Sequence, residues 1–188
     1  MEVFGGEVHS DVWGLAPVES KGGKRYYVTF IDDKSCLTML YLLHTKDEVL
    51  HVYKLYEAWV ETQMGMKLKV LNSDRGGEYQ GANFVEYLKS KGTVQKLNVH
   101  DTPQHAGVAK HQNRTIGEWL RALLHVSSLP KFLWGEAAWH IVWLLNRTMT
   151  KAVEWMTLFE AAFGKKPDLR NICEWGERVY VRIEGGMC

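Results

Sequence analysis

Residues 24–43 read KRYYVTFIDDKSCLTMLYLL, two runs dense in β-branched and aromatic residues on either side of the polar break Asp32–Ser35. The first run, Lys24–Asp32, is apolar on both faces, as a strand in the middle of a covered sheet must be. The second, Cys36–Leu43, follows a turn too short for a crossover, so the two are expected to pair as an antiparallel hairpin. Upstream, Glu7–Val12 is a short strand ending at Trp13-Gly14. Downstream, Thr45 stands three residues before Glu48 in the Thr-x-x-Glu pattern of a capping box. Val49, Val52, Tyr53, Tyr56 and Val60 follow at helical spacing and predict a helix to Gly65. Lys67–Asn72 alternates as a fourth strand, Ala82–Lys91 reads as a helix closed by Gly92, and Thr93–Val99 as a fifth strand.

From Gly107 the periodicity becomes helical, with Ile116, Leu120, Leu123 and Leu124 on one face as far as Ser127-Ser128. Ser128 has the chemistry of an N-cap for the next helix, with Pro130 in its first turn. That helix carries Leu133, Ala137, Ile141, Leu144 and Leu145 on its buried side. A short helix, Leu158–Phe163, ends at Gly164, and Glu177–Ile183 reads as an extra strand. The expected architecture is α/β, a mixed five-stranded sheet flanked by helices on both faces. Residues 1–8 form a lead-in, 9–148 the core, and 149–188 a C-terminal extension.

The 188 residues are 46% hydrophobic and 24% charged, the balance of one folded domain rather than a disordered chain. The longest apolar stretch, Ala137–Leu145, is interrupted by His140 and falls far short of the ~20 residues that span a bilayer, so no membrane partner is expected. Residues 1–8 contain no apolar secretory region, and the three cysteines form no CxxC pair, which points to a reducing compartment. The eight histidines show no H-E-x-x-H spacing, and the pairs Gly22-Gly23 and Gly76-Gly77 lie in no phosphate-loop frame. With a net charge of +1, nucleic acid can be bound only through a local patch. The eight tryptophans are expected mostly in the core, Trp119, Trp134, Trp139 and Trp143 in the core or a subunit interface.

Two acidic motifs lie at strand ends, HSDVWG (9–14) with Asp11 and NSDRGGEY (72–79) with Asp74. If strands one and four are neighbours, the two carboxylates converge. At ~4 Å they repel by about 4 kcal/mol at an effective dielectric of ~20. A divalent cation, a shared proton or a basic side chain would relieve that repulsion, and Mg²⁺ favours such carboxylates together with phosphate oxygens. The plainer reading is that both aspartates cap loops. Asp32-Asp33, before Lys34-Ser35, reads as a turn.

The segments HSDVWG, YYVTFIDD, LNSDRGGEY, DTPQHAGVAKHQNRT, LPKFLWGEA and FGKKPDL occur in this order between His9 and Arg182. In order and spacing they resemble the integrase core of copia-type retrotransposons, in the retroviral integrase superfamily. The resemblance implies a ribonuclease-H-like fold in which two aspartates and a glutamate hold two Mg²⁺ ions. It also implies trimming of DNA 3′ ends and their joining to a target by two-metal catalysis. Asp11 matches the first aspartate of that site and Asp74 the second. The glutamate follows after about 35 residues, and the sequence there reads Gly107-Val108-Ala109-Lys110 in place of G-V-A-E.

An ammonium group has three donors and no acceptor, so Lys110 cannot ligate Mg²⁺. It is expected within ion-pair distance of one or both aspartates, in the electrostatic place of the ion. Glu118 lies eight residues on, about 12 Å along the helix and rotated away. Glu78, on a glycine-flanked loop, would reach inward only with an unusual backbone. Ala106, His111, Leu158 and Glu177 also depart from the family pattern. Mg²⁺ binding is therefore expected to be weak or absent, and the family's activity lost. The alternative is a non-catalytic nucleic-acid-binding or protein-interaction module.

Lys110, Arg114 and Arg121 fall on one helix face and are candidate phosphate contacts. Gln104 and His105, expected in the loop before that helix, join them by the resemblance. DNA is the expected partner, with RNA as an alternative, and a homodimer through helical faces is the expected assembly. The resemblance implies a nuclear location, cytoplasmic otherwise, since no basic import cluster is present.

Overall fold

The computed structural model describes residues 6–97, 103–170, 172–178 and 180, without the side chains of 103–106. Five strands, β1 (Glu7–Gly14), β2 (Tyr26–Asp32), β3 (Thr38–Leu43), β4 (Val70–Ser73) and β5 (Val94–Leu97), form one sheet in the order β3-β2-β1-β4-β5. β1, β2 and β3 are antiparallel neighbours, while β4 and β5 add in parallel on the other side of β1. The hairpin and the mixed sheet expected from the sequence are both present. The turn between β2 and β3 is fastened by Asp32, whose Oδ2 accepts from the Ser35 amide at 2.8 Å and the Ser35 hydroxyl at 2.7 Å.

Among the described residues six α-helices complete the fold: α1 (Val49–Met64), α2 (Gly77–Gln80), α3 (Ala82–Lys91), α4 (Pro103–Ser127), α5 (Trp134–Leu145) and α6 (Leu158–Phe163). None among the described residues is long and apolar enough to cross a membrane. The period-two alternation of the strands assigns side chains to two cores. Val8, Val28, Phe30 and Leu43 meet Tyr53, Tyr56, Phe84 and Leu88 on the α1–α3 face. Tyr27 and Leu40 meet Ile116, Leu120, Trp134, Ala137 and Ile141 on the α4–α5 face. Asn146, just past α5, ties that helix to β3, its side chain bonding both the amide and the carbonyl of Thr38.

Several local expectations are corrected. Thr45 makes no side-chain cap, because Glu48 turns back to the His44 amide at 3.0 Å and lies 3.5 Å from Lys24, so the capping box does not form. Ser128 is no N-cap either. It takes a positive φ of 54° as the chain leaves α4, and a short 3₁₀ turn over Lys131–Leu133 leads into α5. Helix α4 begins at Pro103, so Gln104 and His105 belong to its first turn rather than to a preceding loop. Of the eight tryptophans only Trp134 is buried, with Trp119, Trp139 and Trp155 exposed. The strand expected over Glu177–Ile183 is not formed at Glu177, Arg178 or Tyr180, and its remaining positions lie outside the described residues.

Candidate nucleic-acid interface at the paired carboxylates

The parallel pairing of β1 with β4 runs from Glu7 opposite Val70 to His9 opposite Asn72. The same offset, carried two residues past the last pair, sets Asp11 beside Asp74. The condition under which the two carboxylates converge, β1 beside β4, holds, and the Asp74 charge is felt at the Asp11 carboxyl. Alternation along β1 turns Asp11 and Trp13 towards α4, while Ser10 faces the opposite core.

Asp11 is held by side chains remote in sequence. Its Oδ2 accepts a hydrogen bond from Asn113 Nδ2 on α4 at 2.9 Å. The Thr29 hydroxyl on β2 lies 3.2 Å from Asn113 Oδ1 and 3.4 Å from the Asp11 carbonyl oxygen, with one proton to donate. Burial lifts the Asp11 carboxyl above the usual aspartate range. The Asn113 hydrogen bond opposes that rise, Asp74 reinforces it, and the Lys110 charge partly offsets it.

Asp74 closes the turn after β4, its Oδ1 accepting from the Gly76 amide at 2.9 Å. Glu78 comes inward over the same glycine with an ordinary helical backbone. A Cβ placed on Gly76 would lie 2.7 Å from Glu78 Oε2 and 2.9 Å from Asp74 Oδ1. A side chain at position 76 would have to displace the Glu78 or Asp74 carboxylate. Glu78 is 8% exposed and stands 3.4 Å from Lys46 Nζ. Below them Tyr79 is buried and its hydroxyl bonds Ser10 Oγ at 2.7 Å. Burial raises its pKa well above the usual tyrosine range; the Ser10 hydrogen bond acts against this, and the charges of Asp11, Asp74 and Glu78 add to it. The expectation that Glu78 stays outside is therefore corrected, whereas Glu118 is exposed and engaged by Arg114 at 2.9 Å.

Lys110 also differs from expectation. Its side chain is exposed and, among the described residues, makes no ion pair with either aspartate. It acts on Asp11 through space only. Lys110, Arg114 and Arg121 do share one face of α4, where with Asp11, Trp13, Asn113 and Gly117 they line an open cavity of about 310 Å³. The side chains of Gln104 and His105 lie outside the described residues. Asn113, Thr29 and Tyr79 were missed by sequence reasoning. Asn113 sits three residues after Lys110, one turn away on the same helix face, and that spacing was the available signal for it.

Among the described residues no three His, Cys, Asp or Glu side chains converge closely enough to hold a metal ion. Asp11 and Asp74 supply two carboxylates and position 110 supplies an amine. The residues present do not make up the three-acid set that the resemblance implies.

A mixed sheet of this order, flanked by helices, with an aspartate at the end of β1, a second past β4 and a helix crossing both, is a ribonuclease-H-like fold. The chain belongs to the integrase core domain family, which matches it over residues 5–103. Among its curated relatives are retrovirus-related Pol polyproteins of plant transposons. It is 48% identical over 141 residues to that of transposon TNT 1-94 from Nicotiana tabacum, covering 75% of this chain. It is 31% identical over 173 residues to that of transposon RE2 from Arabidopsis thaliana, covering 92%. The chain spans only 11% and 12% of the length of these polyproteins. Among solved structures, a chain of the simian T-cell lymphotropic virus intasome in complex with PP2A regulatory subunit B56 gamma superposes with a TM-score of 0.67 at 14% identity, over 90% of this chain and 60% of that one. The HTLV-2 integrase catalytic core in complex with magnesium, in its dimeric and trimeric forms, gives 0.60 at 17% identity, over 85% of this chain and 97% of that one. These likenesses establish the ribonuclease-H-like fold.

Proposed function

We propose that this chain is a DNA-binding integrase core whose metal-dependent end processing and strand joining are disabled at position 110. The observation that carries this reading is Lys110 on the same cavity wall as Asp11, where the family supplies a carboxylate. An ammonium contributes no lone pair to a cation and adds a like charge beside it. The Asp11 carboxyl, already raised by burial, gains no third acid to help attract an ion. The α4 cations Lys110, Arg114 and Arg121 nevertheless remain, and they suit a phosphate backbone. The magnesium named with the HTLV-2 core belongs to that protein, and its dimeric form motivates a second copy of this chain as partner.

One observation favours a second reading, in which Glu78 serves as a displaced third acid, because its carboxylate closes over Gly76 towards Asp74. The two readings separate in one pair of experiments. Anisotropy with labelled duplex DNA should show affinity falling with salt, and Arg121→Ala should lower the salt slope by about one. Calorimetric titration with Mn²⁺ should show no binding below millimolar concentrations. Sub-millimolar Mn²⁺ binding lost in Glu78→Gln would establish the displaced acid instead. Salt-independent or undetectable DNA binding would overturn the interface itself.

A further inference from the structure

The two outer strands of the sheet, β3 and β5, are finished differently. Along β3 the backbone groups that turn away from β2 are taken up by side chains of α5 and its end. Asn146 accepts from the Thr38 amide at 3.0 Å and donates to the Thr38 carbonyl at 2.8 Å. The Trp139 indole donates to the Leu40 carbonyl at 3.1 Å. A side-chain amide and an indole thus stand where a further strand would pair, and that edge is closed.

β5 has no such cover among the described residues. The Val94 amide donates to the Lys69 carbonyl, on the approach to β4, at 2.8 Å. Successive residues of a parallel ladder bond in opposite directions, so Val94 and Lys96 direct their backbone groups to β4. Those of Gln95 and Leu97 point away from the sheet and have no partner among the described residues. Val94 is 57% and Leu97 36% exposed, one on each face of the strand. Lys96 does not guard this edge, because its ammonium is drawn across β4 to Glu7 on β1 at 3.1 Å. Lys67 and Lys69 are exposed on the approach to β4 and make no ion pair among the described residues.

We infer that β5 accepts an extended acidic segment of a partner protein as a sixth strand. The free main-chain groups of Gln95 and Leu97 match a peptide backbone, Val94 and Leu97 offer apolar neighbours to its alternate side chains, and Lys67 and Lys69 favour carboxylates. A second copy of this chain is the poorer occupant. Antiparallel pairing of two β5 strands through both Gln95 and Leu97 sets Lys96 directly opposite its own copy, and like charges so placed are destabilising. Nucleic acid would answer the lysines, but it has no amide backbone with which to answer the edge. None of these residues lines the Asp11 cavity, so the inference does not rest on the DNA-binding reading.

The test follows, by anisotropy on the parent chain, a fluorescein-labelled octapeptide that alternates valine with glutamate. It should bind saturably, about tenfold more tightly than the same peptide with lysine in place of glutamate. N-methylation of the valines alone leaves the peptide one bonding edge and should preserve binding, whereas N-methylation of every residue removes both edges at equal charge and should abolish it. Leu97→Pro removes an outward N–H without touching the β4 ladder. It should weaken binding about tenfold, with a thermal transition confirming that the variant folds. Lys67→Glu combined with Lys69→Glu should reverse the preference between the glutamate and lysine peptides. Undiminished binding of the fully methylated peptide would mean that any polyanion adheres to the lysines, and it overturns the added strand. Leu97→Pro binding as tightly as the parent overturns it as well. Self-association in a sedimentation run that is lost in Leu97→Pro, with no peptide bound by the parent, would assign the edge to a second copy and overturn the partner segment.

Discussion

The two faces of the sheet are built from the same strands and serve different ends. On the α1–α3 face the core is closed and aromatic, with Phe30 stacked on Tyr56 at 4.6 Å and 12°, Tyr53 edge-on to Phe30, and Phe84 tilted against Tyr53. Even its buried charge is satisfied, since Glu57 accepts from the Tyr87 hydroxyl and stands 3.4 Å from Lys91. On the α4–α5 face cavities of about 310 and 730 Å³ open beside Trp13, with an Asp11 carboxylate that accepts from the Asn113 amide and cations turned to solvent. A closed face can be made rigid by area alone. An open face gives up some of that burial to keep polar groups accessible, so stability and ligand binding are divided between opposite sides of one sheet.

Core truncation should expose this division most strongly. Phe30→Ala, at a fully buried position, should cost about 3–5 kcal/mol and lower the Tm by about 10 °C or more in a calorimetric scan. Leu124→Ala, on the cavity floor and only half-buried, should cost about 1 kcal/mol, because the removed atoms already border open space. Similar losses at both positions would mean the α4 face is as closed as the other.

The smallest expected effect is electrostatic. The folded-state pKa of Asp11 is raised above the ordinary 3.8, so the native state holds this proton more tightly than the unfolded chain. Stability contributed by this group falls as pH rises from 3.8 through the folded value, and the cost is fully present at neutral pH. Asp11→Asn keeps an acceptor for Asn113 and removes the charge. It should raise the Tm at pH 7, and the gain should fade as the pH is lowered towards 3.8. A gain independent of pH would place its cause in packing rather than in charge.

Much of this arrangement was legible in the chain because it depends on local pattern. The apolar run 26–32 named the central strand, alternation sorted its side chains between two faces, and Gly92 and Gly164 ended their helices with φ of 75° and 69°. Asp11 and Asp74 followed once strands one and four were made neighbours. The parts that could not be read depend on contacts across long separations. Asn113 reaches Asp11 over 102 positions and Ser10 reaches Tyr79 over 69. Glu78 turns inward beside Gly76 and Asp74, a proximity visible only in three dimensions. The capping box at Thr45 failed for a related reason, since Glu48 is engaged by His44 and Lys24.

The charge at position 110 is tested most directly by Lys110→Glu, assayed beside the parent for Mn²⁺ binding by calorimetry and for joining of a DNA end to a target duplex. The account predicts sub-millimolar Mn²⁺ binding and joined product in the variant, and neither in the parent. Metal binding and joined product in the parent at the level of the variant would contradict it.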